Sequence, residues 1–525
     1  MSAAGTGAAG MRGSTDRAAF DALLADHRVV PVVREVFLDA ETPVGVYRRV
    51  AAGRTGSFLL ESAQQGVWNR YSFVGVASFG QLTADRGRIE WRSEHVSVER
   101  LLGDDAALDG ERPDGAARGG LATLEHVLRR WATPRIPGLP RLTSGMIGHI
   151  GWEAVRELER LPDAPERDVD VPAIAMSLAA TLVVLDHRTG AAHLVANVLN
   201  DGTDDADALW RDAQARLDAL EDELHRPAPG SIAAIDRDAE PAPTSRTSAE
   251  RFRSMVESSK RHIVDGDVFQ VVLSARFDLE TDADPLEVYR VLRMLNPSPY
   301  LYLLSLETAD GEPYAVVGSS PEALVTVHEG QATMHPIAGS RPRGADASAD
   351  RDLAEELLAD PKERSEHVML VDLARNDLAK VCEPGTVAVT ELMAIERFSH
   401  IMHIVSTVEG EMRPDASAVD AFRATFPAGT LSGAPKPRAL ELIDELEGAQ
   451  RGVYGGVVGW FDLAGDADLA IAIRTVTMRG GVAHVQSGAG LVADSDPETE
   501  LQEVRSKAAA PLRAVAVASS MRLRP

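Results

Sequence analysis

Two segments of the chain repeat one acidic pattern, in which an Asp-Pro pair is followed by two glutamates three residues apart. The glutamates are Glu363 and Glu366 in the first segment, and Glu500 and Glu503 in the second. Aspartate before proline is typical of a helix start, and residues three apart lie on one face of a helix. Four carboxylates from two helices offer the hard oxygen ligands that Mg²⁺ prefers, with water or a substrate carboxylate completing the shell. The alternative is that these acids only cap helix starts, where carboxylates are favourable in any protein.

Basic and glycine-rich features elsewhere indicate an anion site. Arg474 lies in the β-rich run 469–475, where alternation along a strand predicts its guanidinium on one face with two alanines. The Ser-Gly-Ala-Gly run at 487–490 ends the next strand, and its glycines allow backbone N–H groups to approach a carboxylate or phosphate. Lys507 follows Glu503 by one helical turn and can reach the same cavity. The alternatives are a solvent-exposed arginine at a strand edge and a simple Glu–Lys pair within one helix.

Two other features, taken alone, favour structural roles. His403 lies in the apolar run 401–406, where a buried, hydrogen-bonded histidine is the ordinary expectation. The segment 429–436 is similar to a phosphate-binding loop, but Pro435 stands where that loop needs glycine, and neither Ser nor Thr follows Lys436. We therefore exclude ATP as its ligand.

The elements that must hold these residues mix strands and helices without regular alternation. In the second half of the chain the patterns predict helices at 249–265, 285–295, 353–378, 416–425, 436–446 and 497–513, and strands at 268–277, 315–317, 323–327, 452–463, 469–478 and 482–486. Short connections at 464–466 and 479–481 indicate hairpins, which join antiparallel neighbours. We therefore predict the α+β class, with antiparallel β-sheets packed as a sandwich with flanking helices and two interleaved subdomains.

The composition limits the possible functions. The chain has 525 residues, of which 44% are hydrophobic and 26% charged, a balance that fits a globular protein of two domains. Its net charge of −26 argues against binding nucleic acid or an anionic membrane through overall charge. No apolar run is long enough for a transmembrane helix. The single cysteine, Cys382, excludes an intrachain disulfide framework and suits a reducing cytosol, so we predict a cytoplasmic protein.

One stretch of unusual composition divides the chain into two domains, and two others lie outside regular structure. Residues 1–13 are predicted to be a disordered tail, neither signal peptide nor anchor, and 103–120 to be a surface loop. The proline-rich stretch 227–248 is predicted to be a linker. The resulting units are an N-terminal domain at 14–226 and a C-terminal domain at 249–520.

Taken together, these motifs resemble the anthranilate synthase component I family, a branch of the chorismate-utilising enzymes. The resemblance spans residues 14 to 515 and rests on a dozen segments that agree in order: 59–62, 70–72, 269–274, 296–300, 318–322, 336–344, 362–377, 402–406, 426–436, 452–459, 470–475 and 488–507. It implies that chorismate and ammonia give anthranilate and pyruvate, the first committed step of tryptophan biosynthesis. Ammonia would add at ring carbon 2 as the 4-hydroxyl leaves, and loss of the enolpyruvyl group would then aromatise the ring.

The resemblance also implies a role for each site residue. Glu322 would protonate the leaving hydroxyl and His403 would assist the elimination, since hydroxide is a poor leaving group without a proton. Mg²⁺ would lie on Glu366 and Glu503, with Glu363 and Glu500 as supporting acids. The implied substrate-binding residues are Gly339, Ser340, Thr430, Tyr454, Arg474, Gly488, Ala489, Gly490 and Lys507.

Three positions bear on which member of the family this chain resembles. In relatives that add water at carbon 2, a lysine acting as base occupies the place of Gln270, and a glutamine amide cannot take a proton. In aminodeoxychorismate synthases the residue matching Ala338 is typically a lysine nucleophile, and alanine removes that covalent route. Both residues point to anthranilate as the product. Ser340 departs from the usual threonine but retains the hydroxyl.

A second site is implied in the N-terminal half. Glu61 and Ser62, together with Pro299, Tyr300 and Leu301, resemble the feedback site for tryptophan, where a carboxylate pairs with the ligand ammonium and the ring packs on the indole. By itself the first segment would be an ordinary strand end. Because the two segments come from different halves, bound tryptophan could bias their relative orientation.

The resemblance finally implies a partner. No glutaminase module follows the C-terminal half, and Cys382 lacks a glycine-rich elbow, so we predict a separate glutamine amidotransferase subunit (component II) in a hetero-oligomer such as a heterotetramer. The alternatives are an aminodeoxychorismate synthase subunit that works without the lysine, and a catalytically inactive tryptophan-binding regulator.

Overall fold

The computed structural model describes residues 14–63, 70–103, 119–162, 164–202, 204–227, 232–397 and 401–523. The strands are β1 Val29–Phe37, β2 Phe58–Glu61, β3 Tyr71–Asp85, β4 Arg88–Arg92, β5 Gly145–Ile150, β6 Ile174–Asp186, β7 Ala191–Leu199, β8 Ala233–Ala234, β9 Thr244–Ser245, β10 Gln270–Glu280, β11 Tyr300–Glu307, β12 Pro313–Ser320, β13 Ala323–His328, β14 Gln331–Met334, β15 Ile337–Pro342, β16 Ala388–Arg397, β17 Ile401–Glu411, β18 Gly433–Ala434, β19 Val457–Asp462, β20 Ala467–Ile471, β21 Thr475–Arg479, β22 Val482–Leu491 and β23 Arg522–Leu523.

The helices are α1 Arg17–Asp26, α2 Pro43–Val50, α3 Val98–Leu102, α4 Gly120–Arg130, α5 Ala206–His225, α6 Ala249–Val264, α7 Pro285–Leu295, α8 Ala347–Ala359, α9 Pro361–Ala379, α10 Ala418–Thr425, α11 Lys436–Glu447 and α12 Pro497–Ser519, with 3₁₀ turns at Trp152–Glu157 and Gly429–Leu431. The predicted tail 1–13 and residues 104–118 of the predicted loop lie outside the described residues. Residues 232–248 of the predicted linker carry the two-residue strands β8 and β9. None of the described helices is both long and apolar enough to cross a membrane.

The prediction of one helix at 353–378 is wrong, because the structure has two helices there, α8 and α9. Asp360 is both the C-cap of α8 and the N-cap of α9. Its carboxylate accepts hydrogen bonds from the N–H groups of Lys362 and Glu363. Pro361 has no N–H to continue α8, so the chain turns there and starts again. The second predicted Asp-Pro start is found as expected, since Asp496 caps α12.

The strand predicted at 469–478 is also wrong as a single element. It is broken between β20 and β21, and Arg474 lies in the break with a φ of +51°. Left-handed backbone at a non-glycine residue ends the alternation of a strand. Arg474 therefore does not share a strand face with Ala470 and Ala472.

All strand pairings between the named strands are antiparallel, and β6 is where the network divides. One branch runs from β6 through β3, β2, β11, β12, β21 and β22 to β10. The other runs through β5, β19, β20, β13 and β14 to β17, β15 and β16. Buried side chains of both branches, such as Tyr302 and Trp460, belong to one apolar core. The predicted α+β class with packed antiparallel sheets is confirmed.

Each branch contains strands from both halves of the sequence. In the first, β2 pairs with β11, so that Glu61 lies opposite Leu301. In the second, β5 pairs with β19. Two of the places where the second half of the chain passes from one branch to the other are β12 to β13, through Glu322, and β20 to β21, through Arg474.

The two crossings are hydrogen-bonded to each other. The N–H of Ile471 donates to the carbonyl of Glu322 at 2.9 Å, and the N–H of Ser319 donates to the carbonyl of Arg474 at 3.2 Å. These two hydrogen bonds therefore hold Glu322 and Arg474 at the same place in the fold.

Candidate active site

A cavity of about 640 Å³ opens beside the two crossings. Seventeen residues singled out in the sequence concern this region, and sixteen of them line the cavity: Gln270, Glu322, Ala338, Gly339, Ser340, Glu363, Glu366, His403, Thr430, Tyr454, Arg474, Gly488, Gly490, Glu500, Glu503 and Lys507. The exception is Ala489, whose side chain points to the opposite face of β22 and is fully buried in the core. The volume and the mixed polar lining suit a small-molecule site.

Glu322 is an acid of this cavity that can carry a proton near neutral pH. Burial raises the pKa of its carboxyl to about 7, and a hydrogen bond from the Thr430 hydroxyl, at 3.1 Å, together with the charge of Lys507, opposes that rise. Thr430 is set in the 3₁₀ turn that faces the first crossing. A carboxylic acid that is protonated near pH 7 can act as a general acid.

Arg474 presents a guanidinium to the same cavity. In the part of the chain that the structure describes, no carboxylate forms an ion pair with it, and burial lowers its pKa. Opposite it, Tyr454 approaches the backbone of β22 closely, since a Cβ at Gly488 would lie 2.8 Å from the tyrosine hydroxyl. Glycine at 488 therefore leaves room for the Tyr454 hydroxyl. An arginine that forms no ion pair with the described residues is suited to bind a ligand carboxylate.

The surroundings of His403 favour the neutral form of its imidazole, because its pKa is lowered. Its Nδ1 donates to the carbonyl oxygen of Gly339 at 2.9 Å, so Nε2 is the unprotonated nitrogen of the ring. Burial lowers the pKa of His403, the hydrogen bond to Gly339 opposes that change, and the charge of Arg474 adds to it, so that the pKa is lowered. Gly339 has a φ of +68°, and a Cβ there would lie 2.9 Å from a Glu363 carboxylate oxygen. The glycine is thus required by both conformation and space.

The four glutamates of α9 and α12 face one another across the cavity. Burial raises the pKa of Glu366, and the neighbouring charges of Glu363 and Glu503 raise it further. Burial also raises the pKa of Glu500, again with a contribution from Glu503. Carboxylates that repel one another in a cavity are a donor set that suits a hard divalent cation. Within the described ranges no three His, Cys, Asp or Glu groups are gathered closely enough to hold a metal alone, so other oxygens would have to complete the shell.

Lys507 forms the pair with Glu503 within its helix and also reaches the cavity, the two alternatives that the sequence suggested. Its ammonium pairs with Glu503 at 2.7 Å within α12, and it also donates to the carbonyl of Gly488 at 3.0 Å. The lysine thus links the acidic helix to the glycine-rich end of β22. The Gln270 side chain lies beside β22. A Cβ at Gly490 on that strand would be 2.7 Å from the Gln270 amide nitrogen.

The sequence does not single out Arg451, which supports three parts of this site. Its buried guanidinium pairs with Glu447 at 2.6 Å and donates to the carbonyls of Leu431 and Val272. It also lies 5.6 Å from the ring centre of Tyr454. In the sequence this arginine stands next to a glycine in an apolar run. That pattern does not distinguish a buried arginine that supports a site from an arginine on the surface.

The residues implied for a regulatory ligand line a second cavity. Glu61, Ser62, Pro299, Tyr300 and Leu301 all belong to its wall, which is rich in aromatic side chains. The Glu61 carboxylate is already bound, by Arg293 at 3.1 Å and by the Tyr289 hydroxyl.

Another carboxylate that the sequence does not single out, Asp468, faces the second cavity. Burial raises its pKa to about 6, partly offset by a hydrogen bond with Tyr300. Its Oδ1 atom is buried without a hydrogen-bond partner among the described residues. The cavity therefore offers a carboxylate oxygen to a ligand donor group.

Comparison with known proteins identifies the family of the chain. The model of the chorismate binding enzyme family matches residues 58–513. Anthranilate synthase component 1 of Arthrobacter globiformis is 50% identical over 510 residues, which are 96% of this chain and 93% of that protein. The same component of Mycolicibacterium smegmatis is 48% identical over 516 residues, covering 97% of this chain and 95% of the relative.

A solved structure extends the comparison to the fold. The crystal structure of anthranilate synthase component I from Streptococcus pneumoniae matches with a TM-score of 0.73 and 32% identity, over 91% of this chain and 99% of that one. The chain therefore belongs to the chorismate binding enzyme family and, within it, to the anthranilate synthase component 1 proteins.

Proposed function

We propose that the chain converts chorismate and ammonia to anthranilate and pyruvate, as a Mg²⁺-dependent lyase at the start of tryptophan biosynthesis. The observation that supports this most is one cavity lined both by a carboxyl whose pKa burial raises to about 7 and by an arginine that forms no ion pair with any described residue. Glu322 supplies the first feature and Arg474 the second. An elimination from a doubly negative substrate needs both, a proton for the leaving hydroxyl and a cation for a carboxylate.

Substrate binding is assigned to the basic wall of the cavity. Arg474 takes one carboxylate of chorismate, with Lys507, the Tyr454 hydroxyl and the backbone of Gly488 and Gly490 around it. Glu366 and Glu503, supported by Glu363 and Glu500, would hold Mg²⁺, which would balance the charge of the ring carboxylate when bound. Gly339, Ser340 and Thr430 shape the rest of the wall.

The proton steps are assigned to two residues. Glu322, protonated below about pH 7, gives its proton to the 4-hydroxyl, so that water rather than hydroxide leaves as ammonia adds at carbon 2. His403 assists the later elimination through its unprotonated Nε2, because its Nδ1 proton is committed to the carbonyl of Gly339. Gln270 leaves the incoming nucleophile without a base, which ammonia does not need, and Ala338 offers no lysine nucleophile.

Ammonia would come from a separate glutamine amidotransferase subunit. The relatives are named component 1, which implies a second component for those proteins. The lone Cys382 of this chain is buried, and burial raises the pKa of its thiol, so it is poorly suited to act as a thiolate on glutamine. We therefore propose a cytoplasmic hetero-oligomer, for which a heterotetramer is one arrangement.

We further propose that tryptophan inhibits the enzyme from the second cavity. Its aromatic wall, including Pro299 and Tyr300, would pack on the indole ring. Ser62 and the two carboxylates, Glu61 and Asp468, would face the ligand ammonium. Leu301 closes the wall between the strands of the two halves.

Product identification tests the proposal. The purified chain is incubated with chorismate, Mg²⁺ and ammonium, with glutamine in place of ammonium, and with added tryptophan, and products are resolved by fluorescence and mass. We expect anthranilate and pyruvate in equal amounts with ammonium, little with glutamine, and less with tryptophan. Aminodeoxychorismate as the product, or the absence of any turnover of chorismate, would overturn the assignment, and efficient use of glutamine would overturn the separate subunit.

A further inference from the structure

One tyrosine connects the second cavity to the site around Arg474. Tyr302 on β11 lies opposite Gly318 on β12, and Gly318 lies opposite Thr475 on β21. The Tyr302 ring extends across the glycine, where a Cβ would be 2.2 Å from the ring, and its hydroxyl lies 2.6 Å from the Thr475 hydroxyl. A side chain therefore spans three strands because the middle strand has a glycine at that position.

The direction of this hydrogen bond follows from the next one. The Thr475 hydroxyl donates its single proton to the carbonyl of Ile473 at 2.8 Å, so the Tyr302 hydroxyl is the donor to Thr475. The bond from Thr475 to Ile473 spans Arg474, which has left-handed backbone, and the Arg474 carbonyl accepts from the N–H of Ser319. The conformation that presents the Arg474 guanidinium is thus fixed on both sides.

Tyr302 also belongs to the wall of the second cavity, next to Tyr300 and Leu301. The same residue therefore lines one cavity and, through the Thr475 hydroxyl, supports the backbone beside the other. We propose that Tyr302 and Thr475 are positioning residues, which hold Arg474 for the substrate carboxylate and transmit occupancy of the second cavity to substrate affinity. The second part rests on the proposed function, in which tryptophan occupies that cavity.

The test uses substitutions that remove one hydroxyl each. Tyr302→Phe removes the donor, Thr475→Val removes the acceptor, and Thr475→Ser keeps it. Tyr314→Phe is the matched control, because the Tyr314 hydroxyl bonds His149 at 2.7 Å in the same buried core without touching Arg474. Each full-length variant is assayed with chorismate and ammonium, and tryptophan binding is measured separately by calorimetry.

We expect Tyr302→Phe and Thr475→Val to raise KM for chorismate by about three- to tenfold, the effect of one lost hydrogen bond, with kcat within about twofold. Thr475→Ser and Tyr314→Phe should keep the original KM. In the first two variants tryptophan should still bind but should raise KM less than in the unmodified enzyme. The double variant should be no worse than either single one.

An unchanged KM in both Tyr302→Phe and Thr475→Val would overturn the positioning role. An equal rise of KM in the control Tyr314→Phe would also overturn it. So would a loss of kcat that also occurs in Thr475→Ser. Inhibition that keeps its full strength in Tyr302→Phe would overturn the transmission. If tryptophan does not bind the unmodified chain, the proposed regulatory function fails and the transmission with it, while the KM comparison still decides the positioning role. Melting temperatures identify a variant that has lost its fold. If Tyr302→Phe or Thr475→Val is unfolded, the KM of the other variant tests the positioning role.

Discussion

The Thr430 hydroxyl donates a hydrogen bond to the Glu322 carboxylate at 3.1 Å and so opposes the rise in pKa that burial causes. Removing it should raise the pKa of Glu322 above about 7, because a hydrogen bond to the charged form favours ionisation. In Thr430→Val the falling limb of the pH–rate profile should therefore move to higher pH. Thr430→Ser, which keeps the donor, should leave the midpoint in place. A midpoint that stays unchanged in Thr430→Val would contradict the assignment.

The pH dependence of the enzyme itself should follow Glu322. The acid is protonated below its pKa, so kcat should fall as pH rises through about 7. The profile must be recorded at constant free ammonia, since ammonia itself is released from ammonium as pH rises. Glu322→Gln should lower kcat by roughly 10²–10⁴ and abolish the falling limb. A falling limb that survives this substitution would assign the proton to another group.

Mg²⁺ affinity should depend on Glu503. Removing its charge takes away one proposed metal ligand, and Glu503→Gln should weaken Mg²⁺ binding by about tenfold or more in calorimetry, together with turnover. Glu498→Gln is the control, because Glu498 lies on the same helix but is 63% exposed and pairs with Arg253. Equal Mg²⁺ affinity in the two variants would remove Glu503 from the metal site.

Tryptophan sensitivity should be separable from catalysis. Ser62 lines the second cavity and not the first, so Ser62→Leu should fill part of the tryptophan site and raise the inhibitory concentration by at least about tenfold. The uninhibited rate should stay within about twofold. The measurement is the dose response to tryptophan at fixed chorismate, and an unchanged curve would exclude this cavity as the inhibitor site.

Local patterns predicted most of the elements that carry the site. Helix α7 begins and ends where the pattern predicts, and the Asp-Pro starts of α9 and α12 follow from capping chemistry alone. The four glutamates, Arg474 and Lys507 were singled out by local patterns, whereas others, such as Glu322 and Tyr454, were implied only by the family resemblance, and all of them line one cavity. Spacing alone, however, did not decide whether each glutamate caps a helix or binds a metal ion. The family resemblance favoured the metal ion.

What the sequence did not predict depends on contacts between distant segments. The run 469–478 has the composition of one strand, but its ends pair with different neighbours, and the chain breaks at Arg474 to reach both. Arg451 and Asp468 acquire their environments only when strands and helices from across the chain close around them. Periodicity describes neighbours along the chain and carries no information on such pairs.

The pairing of β2 with β11 and of β5 with β19 has a consequence for biosynthesis. The first half of the chain leaves the ribosome several hundred residues before its partner strands exist, which at about 5–20 residues per second leaves sheet edges unpaired for tens of seconds. Such edges are targets for chaperones and for aggregation. A gene divided at 227–248 should therefore yield insoluble fragments when they are expressed singly, and a soluble protein when both are made in the same cell.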